Sequence, residues 1–259
     1  MENIGINYSL HQLKSISELT LYGKDLVDIS PLKELKTLKY LCLERNKIKD
    51  LSPLSELGQL THLWLDNNQV EDLSPIKSLF KLNILLLGSN LINDLSPLKN
   101  FKLSSLELQN NKIKDISTLS SINTLTRLTL DHNNITDISS LENLKKLIHI
   151  YISHNNIKNI EPLSKITELI RLKLDHNEIK DISPLKGLRK IDFLYLSNNN
   201  ITRINDFLEV YKNNPIRMFT LNNNPIVILE GEDSSFLDKH YIKYTTVPNN
   251  EINKIIIKD

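Results

Sequence analysis

The sequence predicts an α/β solenoid: a curved, right-handed coil of about ten similar turns, with a parallel sheet lining its concave side and short 3₁₀ or α turns on its convex side. Three observations carry this expectation. First, an aliphatic pair followed by a polar turn recurs, its first member falling at Leu19, Leu41, Leu63, Leu85, Leu106, Leu128, Ile150, Leu172, Leu194 and Phe219. The successive intervals are 22, 22, 22, 21, 22, 22, 22, 22 and 25 residues, and a near-constant period of this length marks stacked supersecondary units that share one continuous core. Second, within each unit the pair alternates with outward positions, as Leu63 and Leu65 do with His62, Trp64 and Asp66, the period of two that belongs to a strand. Third, a Ser-Pro-Leu step follows in several units, at 30–32, 52–54, 96–98 and 183–185.

Taken in chain order, residues 1–12 precede the first repeat. Ile4, Ile6, Tyr8 and Leu10 alternate there with polar residues, which predicts a capping strand over the open end of the core. The repeats span 13–229. After each aliphatic pair comes an asparagine: Asn46, Asn68, Asn90, Asn111, Asn133, Asn155, Asn177, Asn199 and Asn224, with Lys24 in the atypical first turn. A buried amide there satisfies backbone groups of its own and the adjacent turn, and an unpaired one would be costly. Terminal turns have fewer neighbours, so a central Asn155 is expected to matter more than Asn46.

Serine suits a helix N-cap and proline the first helical position, and with few residues left per turn a 3₁₀ or single α turn fits. Asp50, Asp72, Asp94, Asp115, Asp137 and Asp181 recur beside these turns, as backbone caps rather than calcium ligands. Leu35, Leu57 and Leu79 close the core from the convex side. Residues 230–259 leave the repeat and read as a β-rich cap, with strand patterns at 241–247 and 255–257 that could form a hairpin.

These repeats resemble the 22-residue leucine-rich-repeat class, found in bacterial internalins and in a eukaryotic protein phosphatase-1 regulator. The resemblance covers 13–229 and implies the fold. Members share the core and differ on the exposed strand positions, so function must be read from those positions. Internalins also carry a secretion signal and a longer helical N-terminal cap, which residues 1–12 do not match.

Composition narrows the classes. Among 259 residues, Lys plus Arg total 32 and Asp plus Glu 31, a net charge of +1; a nucleic-acid or membrane-surface protein would carry a basic excess, so neither partner is expected. Cys42 is the only cysteine, so no internal disulfide is expected. No basic-then-apolar leader and no long apolar run is visible. A cytoplasmic monomer is the simplest expectation; the alternative is a mature secreted or cell-surface chain whose leader has been removed. The lack of alanine beside heavy use of Ile, Lys, Leu and Asn points to an AT-rich, bacterial genome.

Equivalent strand positions stack into columns. The column between the core pair reads Thr20, Cys42, Trp64, Leu86, Glu107, Thr129, Tyr151, Lys173, Tyr195, Thr220; the one before it reads Glu18, Tyr40, His62, Ile84, Ser105, Arg127, His149, Arg171, Phe193, Met218. Tyr40, Cys42, His62, Trp64, Ile84 and Leu86 form one apolar-aromatic cluster. His149, Tyr151, Phe193, Tyr195 and Met218 form a second, with Arg127, Arg171 and Lys173 set beside it. Contiguous apolar patches on a water-facing sheet mark binding sites, and Trp, Tyr and Arg dominate interface energies; sheet stabilisation by paired aromatics is the plainer account. A protein partner on the concave face is therefore the expected function, with a structural spacer or a fragment of a larger bacterial surface or effector protein as the alternative.

His132, His154 and His176 form a further column near Asp131 and Asp175. It reads as the variable polar position that Asn67, Asn110, Asn198 and Asn223 fill elsewhere, so no metal site is expected. With no phosphate loop and no nucleophile–base–acid set, neither a cofactor nor an enzymatic activity is expected.

Overall fold

The computed structural model describes residues 15–204, 216–229 and 244–247. Ten three-residue strands form one parallel sheet in sequential order. They are β1 (Glu18–Thr20), β2 (Tyr40–Cys42), β3 (His62–Trp64), β4 (Ile84–Leu86), β5 (Ser105–Glu107), β6 (Arg127–Thr129), β7 (His149–Tyr151), β8 (Arg171–Lys173), β9 (Phe193–Tyr195) and β10 (Met218–Thr220). Each strand pairs with the next in strict register, Leu41 with Leu63 and Leu63 with Leu85, so the columns drawn from the spacing are real neighbours. Among the described residues eight 3₁₀ turns oppose the sheet, from Ser30–Glu34 to Ser183–Gly187. The chain is thus a curved solenoid, sheet concave and turns convex.

The core lies between these layers. The aliphatic pairs point into it, and Leu35, Leu57 and Leu79, each at most 1% exposed, close it from the convex side. The asparagines bind it along its length. Asn68 Nδ2 donates to Leu43 O of the preceding turn (2.9 Å) and to Leu65 O of its own (3.0 Å), while its Oδ1 accepts Ile48 N–H at 3.0 Å. The same set recurs at Asn155 and at Asn199. Buried backbone groups that no strand or turn reaches are thereby satisfied.

The Ser-Pro-Leu step differs from expectation in one respect: serine is not the side-chain cap. The residue before it holds the N-cap place without a side-chain hydrogen bond. Aspartate does the capping, with Asp72 Oδ1 accepting Ser74 N–H at 2.8 Å and the Ser74 hydroxyl donating to Asp72 Oδ2 at 2.7 Å. An aspartate two residues upstream reaches that N–H in an Asx turn. The serine hydroxyl is then committed to the carboxylate. The Ser74 bonds hold Asp72 below the usual carboxylate range.

The front capping strand expected over 4–10 and most of the segment from 230 onward lie outside the described residues. Within that segment Tyr244–Val247 (β12) is a strand, and it runs parallel to Ile226–Leu229 (β11) in a separate two-stranded sheet.

Candidate functional site: the concave face

Two columns of side chains project from the sheet on either side of the core pair. On β2–β4 the Tyr40 and His62 rings lie 4.4 Å apart, and the His62 ring meets Trp64 edge-on at 6.2 Å. Ile84 and Leu86 continue the patch in register with His62 and Trp64. All five are half-buried, because strands about 4.8 Å apart let neighbours in a column shield one another. Cys42 is a correction: placed on the surface from its alternation, it is 5% exposed. Its small side chain sinks beside Trp64, its thiol donates to Glu44 Oε2 at 3.3 Å, and burial pushes the thiol pKa up.

The second cluster is cationic as well as aromatic. The Arg127 guanidinium sits 4.9 Å over the Tyr151 ring, and its Nε donates to Glu107 at 3.0 Å. Arg171 lies 4.2 Å over Phe193 and donates to the Tyr151 hydroxyl at 3.2 Å. Lys173 Nζ lies 5.6 Å over Tyr195. Arg217, which the column reading passed over, lies 5.4 Å over Phe193 from the next turn. His149 sits between the two arginines; burial first, and then Arg127 and Arg171, keep its imidazole pKa below the ordinary value. Met218, 46% exposed, forms the open margin.

The structure also shows what the two columns left out. The residue after each core pair forms a third column: Glu44, Asp66, Gly88, Gln109, Asp131, Ser153, Asp175, Ser197. Its carboxylates reach across to the next turn, Asp66 Oδ1 accepting Gly88 N–H at 2.9 Å, Asp131 Oδ1 accepting Ser153 N–H at 2.7 Å and Asp175 Oδ1 accepting Ser197 N–H at 2.9 Å. Each aspartate is followed, one turn on, by a small residue that lets it approach. At Gly88 the fit is closest, since a Cβ there would fall 2.6 Å from Asp66 Oδ1 and 2.3 Å from Gln109 Nε2. The Asp-then-small alternation was present in the sequence as the signal.

Burial drives Asp66 up to about 6, against the stabilising Gly88 N–H. A folded carboxyl that holds its proton longer than the unfolded one loses stability as pH rises from about 4 to about 6. Asp66→Asn keeps an oxygen for Gly88 and removes the charge, so its unfolding free energy relative to wild type should increase between pH 4 and pH 7. Urea titrations across that range check it, and a constant difference contradicts it.

The histidine column is a stack. Adjacent ring centroids of His132, His154 and His176 are each 4.0 Å apart with interplanar angles of 11° and 14°. Asn198 and Asn223 extend the ladder, at 3.1 Å and 2.9 Å. All these residues share a left-handed backbone, φ between 54° and 58°, which Asn and His tolerate better than most. That requirement selects the column. Parallel rings hold their nitrogen lone pairs side by side, whereas a tetrahedral ion needs them to converge. Among the described residues no group of three His, Cys, Asp or Glu side chains is placed to hold a metal ion.

The family model for Leucine Rich repeats (2 copies) matches residues 36–78, 123–165, 145–187 and 167–209. An internalin C2 of Listeria monocytogenes is 31% identical, with a TM-score of 0.70, over 74% of this chain and 84% of that one. A second internalin of the same bacterium, inlF, is 27% identical with a TM-score of 0.61, over 93% of this chain and 84% of that one. The Arabidopsis receptor kinase HAESA, solved in complex with the peptide hormone IDA and the co-receptor SERK1, shares the fold at 21% identity and a TM-score of 0.73; the match covers 92% of this chain and 44% of that one. A search of the curated proteins finds no match.

Proposed function

The chain belongs to the leucine-rich-repeat family, of the internalin-like type, and on that premise we propose that it is a binding module whose protein partner seats on the concave face. The observation that carries the reading is the register of Tyr40, His62, Trp64, Ile84 and Leu86 on three adjacent strands. Nothing in the core requires Trp, Ile and Leu to face outward together, since the repeats on either side place Thr20, Ser105 and Glu107 in the same columns without losing the fold. Half-buried aromatic and aliphatic side chains with polar surroundings are anchors of the kind that dominate interfaces. Arg127, His149, Tyr151, Arg171, Lys173, Phe193 and Tyr195 supply a second contact area whose cations are already held over ring faces, so little side-chain freedom is lost when a partner docks. HAESA, solved with a peptide hormone, shows that a solenoid of this fold can hold a polypeptide.

Trp64→Asp and Leu86→Asp test the reading. Neither side chain lies in the core, so circular dichroism and the melting temperature should stay close to wild type. Affinity for a partner captured with the wild-type chain should fall at least tenfold, about 1.4 kcal/mol. Unchanged binding by both variants would move the binding surface elsewhere and favour a spacer role for the repeats.

A further inference from the structure

Beyond the two aromatic clusters, one depression of ≈ 420 Å³ lies beside the C-terminal ends of β5 to β9, lined by the third column and by the histidine ladder. Asp131, Ser153 and Asp175 follow β6, β7 and β8 in one column, so the two aspartate positions stand on either side of the serine, with backbones about 10 Å apart across two strand spacings. Each carboxylate uses Oδ1 on the next turn's amide, and neither Oδ2 has a hydrogen bond among the described residues. Ser153 is 4% exposed, and its buried Oγ makes no hydrogen bond of good geometry, although it stands near enough to Asp131 to favour that carboxylate's charged form. Gln109, also in the lining, has a buried Oε1 in the same condition. A buried polar atom without a partner is uncommon in a folded protein, and here two such atoms line one depression.

The charges define what is missing. The charged and titratable groups around the depression are Asp131, Asp175, Lys173, His132, His154 and His176. Lys173 turns over the Tyr195 ring and pairs with neither carboxylate within ion-pair distance among the described residues. Asp131 and Asp175 against Lys173 leave one carboxylate in excess, and the groups of the lining without a hydrogen bond are mainly acceptors: two carboxylate oxygens, a hydroxyl and an amide oxygen. We infer that this depression receives the guanidinium of an arginine side chain presented by the protein partner, seated at Ser153 between Asp131 and Asp175. A guanidinium offers five donors in one plane and no acceptor, which complements such a lining where an ammonium point charge or an anion does not. The inference rests on the partner-binding reading only for the source of the arginine. The site is tested with no partner present, so the two can fail separately.

Nα-acetyl-arginine N-methylamide is titrated into the whole ¹⁵N-labelled chain at low salt and pH 7.5. The amides of Ser153, Ser197, Asp131 and Asp175 should shift together. Asp131→Asn/Asp175→Asn, which keeps an oxygen for each amide it serves, should weaken the probe at least fivefold with an unchanged melting temperature. Acidification to pH 5.5 should weaken it further, because burial has raised the Asp131 pKa and a protonated carboxyl no longer offers the charge that a guanidinium pairs with. Shifts confined to other residues, a double variant that binds as well as wild type, or affinity that rises or stays level at pH 5.5 would each overturn the assignment. Binding of spermidine tenfold tighter than the blocked arginine would also overturn it, by moving the ligand from a peptide side chain to a free polyamine.

Discussion

Phe101→Ala should lower the unfolding free energy by about 3–5 kcal/mol. The reason is a defect in the repeat. The turn between β4 and β5 is one residue short: Leu98 is followed by Phe101 and then, two residues on, by Leu103, where Leu54 is followed by Leu57 and then, three residues on, by Leu60. Asn100 turns the chain with a φ of 68°, and Lys99 after the 3₁₀ turn is extended at ψ 132° where its equivalents are helical. Phe101 is the largest fully buried side chain among the described residues, 1% exposed. It fills with a ring the space that a shortened backbone leaves beside leucines in the neighbouring turns. Alanine there would open a cavity across two repeats, whereas Phe101→Leu should recover most of the loss. Phe80, whose ring lies 5.7 Å away but is 59% exposed, should cost far less when cut to alanine. Urea unfolding of the three variants checks the ranking. A loss below about 1 kcal/mol at Phe101→Ala would mean that the short turn closes without the ring.

Asn155→Leu should cost roughly 3 kcal/mol, for a reason that the bonds sharpen. Its Oδ1 is the partner of Ile135 N–H at 2.9 Å, and its Nδ2 reaches Leu130 O, Ile152 O and Ser153 O. The three carbonyls keep other donors in Asn133, Asn177 and His132 N–H, so leucine leaves one amide fully orphaned and three acceptors weakened. An orphaned buried donor costs about 1–3 kcal/mol and each lost bond about 0.5–1.5. Asn46 was expected to matter less because it stands near an end. Its bonds argue for a comparable cost, since its Oδ1 accepts both Lys24 N–H and Leu26 N–H at 3.0 Å. Asn46→Leu should therefore cost at least as much per molecule, unless the first turn frays and returns those amides to water. Parallel urea curves decide between the two rankings.

The fold was legible because every repeat states it again. Core pair, asparagine and turn are each fixed by alternation or by hydrogen-bonding need, and ten statements of one pattern leave little freedom in register. The aromatic clusters were legible for the same reason, since register turns sequence spacing into columns. What the spacing did not disclose lies in dihedral angles and in contacts between turns. The left-handed φ that selects His132, His154 and His176 is visible only as a taste for Asn and Gly in their column. Cys42 alternates like an outward residue yet is buried, because a small side chain beside Trp64 is covered by it. The carboxylate reach of Asp66, Asp131 and Asp175 depends on the small residue one turn later, a pairing over 22 residues that alternation within a strand does not show. Serine looked like the cap since it opens the turn, but the aspartate two positions earlier takes that N–H first.

On the proposed function the concave columns, and not the convex turns or their connecting loops, hold the partner. Site-specific photocrosslinking tests it most directly, with benzoylphenylalanine placed in turn at Tyr40, at Tyr151 and at the exposed Phe80. Tyr40 and Tyr151 stand in the two concave clusters and Phe80 in a loop leading up to β4. A covalent adduct with the same protein is expected from the first two positions and none from the third. Crosslinking from Phe80 with none from Tyr40 or Tyr151 would contradict it.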